Sequence, residues 1–151
     1  LSYKKDLIKV MERDEQDGLG TVYYALSLLI LAIVSFGIFK NPALGLVPTL
    51  VMAYGDGFAA IIGKKFKSKR YKLSDTKKSF AGSLTMFVIS TLLIGAYMSF
   101  NLGTAFLIGT HWPVVAGLAG FAITALEAIS GKGWDNITVP LATVALLILL
   151  V

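Results

Sequence analysis

Two acidic residues lie inside stretches of sequence that are otherwise apolar. Asp56 is the only charged residue in the segment 43–62, and Glu127 is the only one in 113–130. A third acid, Asp135, follows Glu127 in a short polar segment. An ionisable residue within a membrane span is energetically costly, so its presence indicates a function. Carboxylate oxygens are the ligands that Mg²⁺ prefers, and we therefore take these three acids as candidate metal ligands.

The composition excludes several other kinds of chemistry. The 151 residues include no Cys and a single His. A Cys nucleophile, a thiolate or multi-His metal site and a disulfide scaffold are therefore excluded, and any metal must be held by oxygen. Hydrophobic residues make up 56% of the chain and charged residues 15%, whereas soluble domains are about half apolar and about a quarter charged. The chain is therefore predicted to be an integral membrane protein.

Five segments are apolar enough to be membrane spans. A helix needs roughly 20 apolar residues to cross the bilayer. The fifth segment has only 15, so we expect it to begin near Trp134 or to continue beyond Val151. We predict an all-α, polytopic helical bundle, with residues 1–151 as a single transmembrane domain that is a fragment of a larger bundle. The predicted spans are approximately 21–39, 43–62, 80–100, 113–130 and 137–151.

Basic residues are concentrated in alternate connecting segments. Of the 14 Lys and Arg residues, eight lie in 63–79 and four in the first 20 residues, whereas 101–112 has none. Because Lys and Arg mark cytoplasmic loops, the N-terminus and the 63–79 loop are predicted to be cytoplasmic, together with 131–136. The three acids would then lie near the cytoplasmic face. Topology and attraction to anionic lipid head groups explain most of the charge in Lys64–Lys72.

The last residues of this loop have a different character. Lys77, Lys78 and Ser79 immediately precede the third predicted span, and Gly82 and Ser83 follow in its first turn. A helix N-terminus attracts phosphate through its free N–H groups and its dipole. Lysines at such a position suit a polyphosphate, although the pattern is not a Walker A loop. Acids for Mg²⁺ beside lysines for phosphates indicate phosphoryl or nucleotidyl transfer.

Small residues share the helix face of Asp56. Ala59, Ala60 and Gly63 follow it by three, four and seven residues, which places them on the same side of a helix. Such a face lets a ligand or a neighbouring helix approach closely. Helix packing alone would explain the small residues but not an acid among them.

These residues resemble the nucleotide-binding motif of the CTP-dependent lipid kinases, the family of dolichol kinase, phytol kinase and the CTP-dependent diacylglycerol kinase. The chain departs from the family pattern in having Lys67 for a second Gly, Ser79 for Thr and Ala81 for Glu. The run from Asp135 to Pro140 resembles an element of the phytol kinase branch. The resemblance covers roughly residues 20–140. The matching residues of the motif are Asp56, Ala59, Gly63, Lys77, Lys78 and Gly82.

The resemblance implies transfer of the γ-phosphoryl group of CTP to the hydroxyl of a lipid alcohol, such as phytol, a polyprenol or diacylglycerol, with Mg²⁺ as cofactor. It implies catalytic roles for Asp56, Lys77 and Lys78, with Asp56 either binding Mg²⁺ or acting as a base. The implied metal ligands are Asp56, Glu127 and Asp135. The implied nucleotide-binding residues are Ala59, Gly63, Lys64, Ser79, Gly82, Ser83 and Asn136.

Two other functions stay open. A phosphatidate cytidylyltransferase also uses CTP at a membrane but releases pyrophosphate, and its usual C-terminal signature is absent here. A transporter would have its acids spread across the depth of the membrane. The expected partners are the lipid bilayer, a lipid alcohol and a nucleoside triphosphate. Despite the net charge of +5, no nucleic-acid polymer is expected, and a homo-oligomer stays open.

Overall fold

The computed structural model describes residues 19–66, 68–73, 77–100, 111–131 and 133–150. Lys67, one of the three departures from the family pattern, lies outside them. The described residues form five helices and one two-stranded antiparallel sheet, which confirms the prediction of an all-α membrane bundle. The helices are α1 (Leu19–Ile38), α2 (Ala43–Lys65), α3 (Phe80–Phe100), α4 (Trp112–Ile129) and α5 (Asp135–Leu150). The strands are β1 (Arg70–Tyr71) and β2 (Lys78–Ser79).

The first four helices are suited to a bilayer by their length and composition. They contain 18 to 23 residues, with mean hydropathies between 1.5 and 2.1 over the window tested. α5 is a shorter apolar helix of 16 residues. It begins at Asp135 rather than at residue 137, which agrees with the expectation that the fifth segment starts near Trp134. The five predicted spans therefore correspond to five helices.

Four of the helices form a ring around a buried apolar core. α3 packs along α4, which also contacts α5, and α2 contacts α3 with its second half and α5 with its first half. The core side chains Met86, Ile94 and Ile123 are completely buried. Large apolar side chains such as Leu92 and Phe121 are instead exposed on the outer faces. Exposed apolar side chains all along the helices are expected for a surface that faces lipid.

α2 changes its helical geometry just before the motif acid. Pro48 lies inside the helix and has no N–H to donate. Residues Val51–Asp56 then form wider, π-helical turns before a regular α-helix resumes over Gly57–Lys65. Wide turns within helices are frequent at functional sites. In this helix they end at Asp56.

Candidate active site at one end of the bundle

A cavity of about 370 Å³ lies at the end of the bundle where α2 ends and α3 begins. The second half of α2, the β1–β2 hairpin, the first turn of α3, the last turn of α4 and the start of α5 surround it. Every residue predicted for the site contributes to its lining except Asn136. The lining residues are Asp56, Ala59, Ala60, Gly63, Lys64, Arg70, Lys77, Lys78, Ser79, Gly82, Ser83, Glu127, Gly133 and Asp135.

The three predicted metal ligands converge on this cavity from three different helices. One carboxylate oxygen each of Asp56, Glu127 and Asp135 lies within 4.8 Å of the others. Glu127 is buried, and the other two are half-buried. Glu127 and Asp135 follow Asp56 in the sequence by 71 and 79 positions. The three residues form one acidic cluster because α2, α4 and α5 bring their ends together.

Lys78 lies within this acidic cluster. Its Nζ donates to the Glu127 backbone oxygen at 2.8 Å, forms an ion pair with Glu127 Oε1, and lies 3.4 Å from Asp135 Oδ2. Only 14% of the Lys78 side chain is exposed. Its ammonium group therefore balances the charge of two of the acids, and the expected contact of Lys78 with phosphate stays a prediction.

The acids retain oxygens that could hold a divalent cation. Glu127 Oε2 is buried and has no hydrogen-bond partner among the described residues. Asp56 forms neither a hydrogen bond nor an ion pair in the same part of the chain. Oxygens bound to one Mg²⁺ lie no more than about 4.2 Å apart, twice the Mg–O distance. The 4.8 Å cluster approaches this limit, so small side-chain rotations would complete a site of hard oxygen ligands.

The exposed rim of the cavity is cationic. Lys64, Arg70 and Lys77 line it with exposed side chains. Within the described ranges, none of the three forms an ion pair. The cavity therefore has acids and one lysine on its buried side and three available cations on its exposed side. This arrangement suits a polyanion that carries a divalent cation at one end.

The start of α3 does not offer the free backbone donors expected from the sequence. The N–H groups of its first three residues already have acceptors in the protein. At this helix start, side chains are therefore the available donors for phosphate. The donor and acceptor pairs are Phe80 N–H to Lys69 O at 3.2 Å, Ala81 N–H to Ser68 Oγ at 3.0 Å and Gly82 N–H to Ser79 Oγ at 3.1 Å.

The two motif glycines serve the packing of α2 against α3. A Cβ atom at Gly82 would lie 3.0 Å from the Ala59 carbonyl oxygen and 3.0 Å from Ser79 Oγ. A Cβ atom at Gly63 would also meet the Ser79 side chain. We expected these glycines to let a ligand approach, and both do line the cavity. Their small size is nevertheless already required by the contact between the two helices.

Asn136 is the predicted nucleotide-binding residue that the structure does not bring into the cavity. Its Nδ2 donates to the Gly20 carbonyl oxygen at 3.0 Å, which joins the start of α5 to the start of α1. The Tyr23 and Trp134 rings, with centroids 5.1 Å apart, reinforce the same junction. The family-based assignment of Asn136 to the nucleotide is therefore not supported, and its contact is structural.

Arg70 is the charged lining residue that sequence reasoning did not single out. It belongs to a run of basic residues that topology alone explains. Its place in the cavity depends on β1 pairing with β2, which sets Arg70 opposite Ser79. Two-residue strands leave almost no pattern in a sequence. The aromatic residue beside it, Tyr71, was the one available signal of an ordered segment.

The chain is similar to curated phytol kinases over most of its length. It is 36% identical over 145 residues to the phytol kinase of Synechocystis sp., a match that covers 95% of this chain and 59% of that relative. It is 35% identical over 136 residues to probable phytol kinase 2, chloroplastic, of Glycine max, covering 87% of this chain and 45% of the relative. It is 30% identical over 130 residues to phytol kinase 1, chloroplastic, of Arabidopsis thaliana. This match covers 83% of this chain and 41% of that relative.

The chain thus spans about two fifths to three fifths of the length of these relatives. No protein-family model and no solved structure matches the sequence. The matches to the relatives cover most of this chain, so they extend well beyond the short motifs that resemble the family.

Proposed function

Because the chain belongs, by sequence, to the phytol kinase branch of the CTP-dependent lipid kinase family, we propose that it forms the phosphoryl-transfer site of a lipid-alcohol kinase. The donor is CTP, and the acceptor is the hydroxyl of phytol, a polyprenol or diacylglycerol. The observation that carries the proposal is the cavity, with three carboxylates on its buried side and three available cations on its exposed rim. The active site faces the cytoplasm, as the distribution of basic residues indicates.

The charge distribution determines how the donor binds. Lys64, Arg70 and Lys77 on the rim attract the triphosphate. The γ-phosphoryl group, which is transferred, then lies towards the buried acids and the membrane. The lipid hydroxyl approaches from the membrane side, so phosphoryl donor and acceptor meet at the depth of Asp56.

Asp56, Glu127 and Asp135 would hold the Mg²⁺ ion. When bound, the ion would neutralise charge on the phosphates and stabilise the transition state. Glu127 Oε2 and the Asp56 carboxylate have no hydrogen-bond partner in the described part of the chain, so both are available to it.

Asp56 would accept the proton of the lipid hydroxyl with the carboxylate oxygen that does not bind Mg²⁺. In the reaction a bond forms between the lipid oxygen and the γ-phosphorus, and the bond from that phosphorus to the β,γ-bridging oxygen breaks. CDP leaves, and the hydroxyl proton passes to the carboxylate. Lys77 and the other rim cations offset the negative charge that develops on the departing diphosphate.

The exposed face of α2 offers the acceptor a route to this point. Ala60 is exposed and also lines the cavity. Gly57, one residue after Asp56, has open space where a Cβ would lie, with no atom within 4 Å apart from its chain neighbours and its own helix backbone. A lipid chain could lie along these small residues with its hydroxyl directed at the carboxylate.

The proposal is tested by product analysis. Purified protein in lipid nanodiscs is incubated with Mg²⁺, with CTP or ATP, and with each of the three lipid alcohols. A phosphorylated lipid together with CDP is the expected result. Pyrophosphate release would instead support the cytidylyltransferase, and absence of both products would overturn the enzymatic proposal. The clustering of the acids within 4.8 Å already weighs against a transporter whose acids line a path across the membrane.

A further inference from the structure

The segment between α2 and α3 contains the paired strands β1 and β2, and the described residues around β1 contact the start of α3. β1 pairs with β2 antiparallel, with Arg70 opposite Ser79 and Tyr71 opposite Lys78. β2 leads directly into the first residue of α3. The hairpin and the start of the helix are therefore one structural unit beside the cavity.

Among the described residues, four contacts outside the strand pairing hold the segment 68–71 against α3. Two are the bonds that Lys69 and Ser68 accept from the first N–H groups of the helix. The other two come from Tyr71, whose hydroxyl forms a hydrogen bond with Ser83 Oγ and whose ring lies with its centroid 5.0 Å from that of Phe80. Both neighbours of Arg70 are therefore anchored. The backbone of Arg70 has a defined place at the edge of the cavity.

Only one basic residue of the stretch 69–72 lines the cavity. Arg70 does so, whereas Lys69 and Lys72 are exposed outside it. The topological explanation of the basic loop treats these three residues alike, because it depends only on their charge. The hairpin distinguishes them, since it directs a single guanidinium to the site that holds the acids.

We propose that Arg70 is a nucleotide-binding residue that contacts the phosphate groups of the donor. This inference rests on the proposed function, because it names a further residue of the same site. Two observations support it. The first three N–H donors of α3 are already used by the protein, so side chains are the available donors for phosphate at this helix start. Of the cations on the rim, Arg70 alone has the planar group that can bind two phosphate oxygens at once.

Tyr71 acts in this arrangement as a positioning residue. Its hydroxyl contact with Ser83 and its ring contact with Phe80 fix the strand that carries Arg70. The Tyr71→Phe variant keeps the ring and removes the hydroxyl. It is expected to raise the KM for the nucleotide and leave the KM for the lipid unchanged, while the melting temperature falls by only about 2 to 4 °C for the lost hydrogen bond. General destabilisation would not affect one KM selectively.

The experiment compares Arg70→Ala with Lys72→Ala in nanodiscs made of uncharged phosphatidylcholine. Both substitutions remove one positive charge from the same segment, but Lys72 lies outside the cavity. Equilibrium binding of Mg²⁺–CTP is measured together with KM and kcat. We expect Arg70→Ala to weaken nucleotide binding by about 10- to 100-fold, the range typical of hydrogen bonds to charged groups. Arg70→Lys should be intermediate and Lys72→Ala close to the unsubstituted protein.

Equal effects of Arg70→Ala and Lys72→Ala would overturn the assignment, because they would show that only the general charge of the loop matters. Failure of the unsubstituted protein to bind nucleotide would overturn it as well. Nucleotide binding that depends on Arg70, without transfer of phosphate to any lipid, would contradict the proposed function and leave the Arg70 assignment standing.

Discussion

Lys78 offers the sharpest test of the acidic cluster. Replacing it by Met keeps most of the side-chain volume and removes the ammonium group that binds Glu127 and Asp135. Three carboxylates would then lie within 4.8 Å of one another. At an effective dielectric constant of about 20, two charges at that separation repel each other by about 3.5 kcal/mol. The variant should therefore bind divalent cations more strongly and be less stable without them.

The size of the effect follows from the burial of the ion pair. The Lys78 and Glu127 side chains are 14% and 7% exposed, and removing one partner of a buried pair costs about 3–5 kcal/mol. The partial exposure of Lys78 places our expectation at the lower end, near 3 kcal/mol. For a chain of this size that corresponds to a melting temperature lower by roughly 6 to 12 °C.

The assay is thermal unfolding of the detergent-purified protein with a chelator and again with excess Mg²⁺. We expect Lys78→Met to melt well below the unsubstituted protein in the chelator and to recover most of the difference when Mg²⁺ is added. Lys77→Met is the matched control, because Lys77 is the adjacent lysine and forms no ion pair in the described residues. Equal shifts in both variants, or no recovery with Mg²⁺, would refute the cluster as a cation site.

Three further substitutions test separate parts of the structure. Asp56→Asn should lower lipid phosphorylation by at least about 100-fold, the usual contribution of a general base, with an almost unchanged melting temperature because Asp56 makes no hydrogen bond among the described residues. Gly82→Ala should destabilise the fold by about 1–3 kcal/mol, because the new Cβ would lie 3.0 Å from a backbone oxygen of α2. Its control, Gly57→Ala, should be neutral or slightly stabilising, because the space around Gly57 is open. Asn136→Ala should cost about 1 kcal/mol through loss of its bond to Gly20 and leave nucleotide affinity unchanged.

The outcomes that would contradict these expectations are specific. Full kinase activity in folded Asp56→Asn would remove Asp56 from the chemistry. Equal stability of Gly82→Ala and Gly57→Ala in thermal unfolding would show that the α2–α3 contact tolerates a methyl group. A large loss of CTP binding in Asn136→Ala would restore the family-based role of that residue.

Sequence alone predicted the helices well, because apolar runs and charged loops are local signals. The third predicted span has the same bounds as α3. The meeting of Asp56, Glu127 and Asp135 could also be anticipated, since each lies near the same end of a span and basic loops orient the spans. These features depend on apolar runs and on the positions of charged residues along the chain, and both can be read from a single sequence.

Other features of the site depend on contacts between distant residues. The role of Asn136 follows from a bond to Gly20, 116 positions away, and no local pattern indicates it. Gly82 faces a backbone oxygen of another helix, so its use in packing could not be distinguished from ligand approach. The ion pair between Lys78 and Glu127 likewise required the relative placement of α3 and α4.

The most direct test of the account is to follow the label from CTP in two parallel reactions with Mg²⁺ and a mixture of phytol, a polyprenol and diacylglycerol. One reaction contains CTP labelled at the γ-phosphate, and the other contains CTP labelled at the α-phosphate. We expect labelled lipid only from the γ-labelled donor, and only in protein that retains Asp56. Label transferred from the α-phosphate, or no labelled lipid from either donor, would contradict the assignment of this cavity to a lipid kinase.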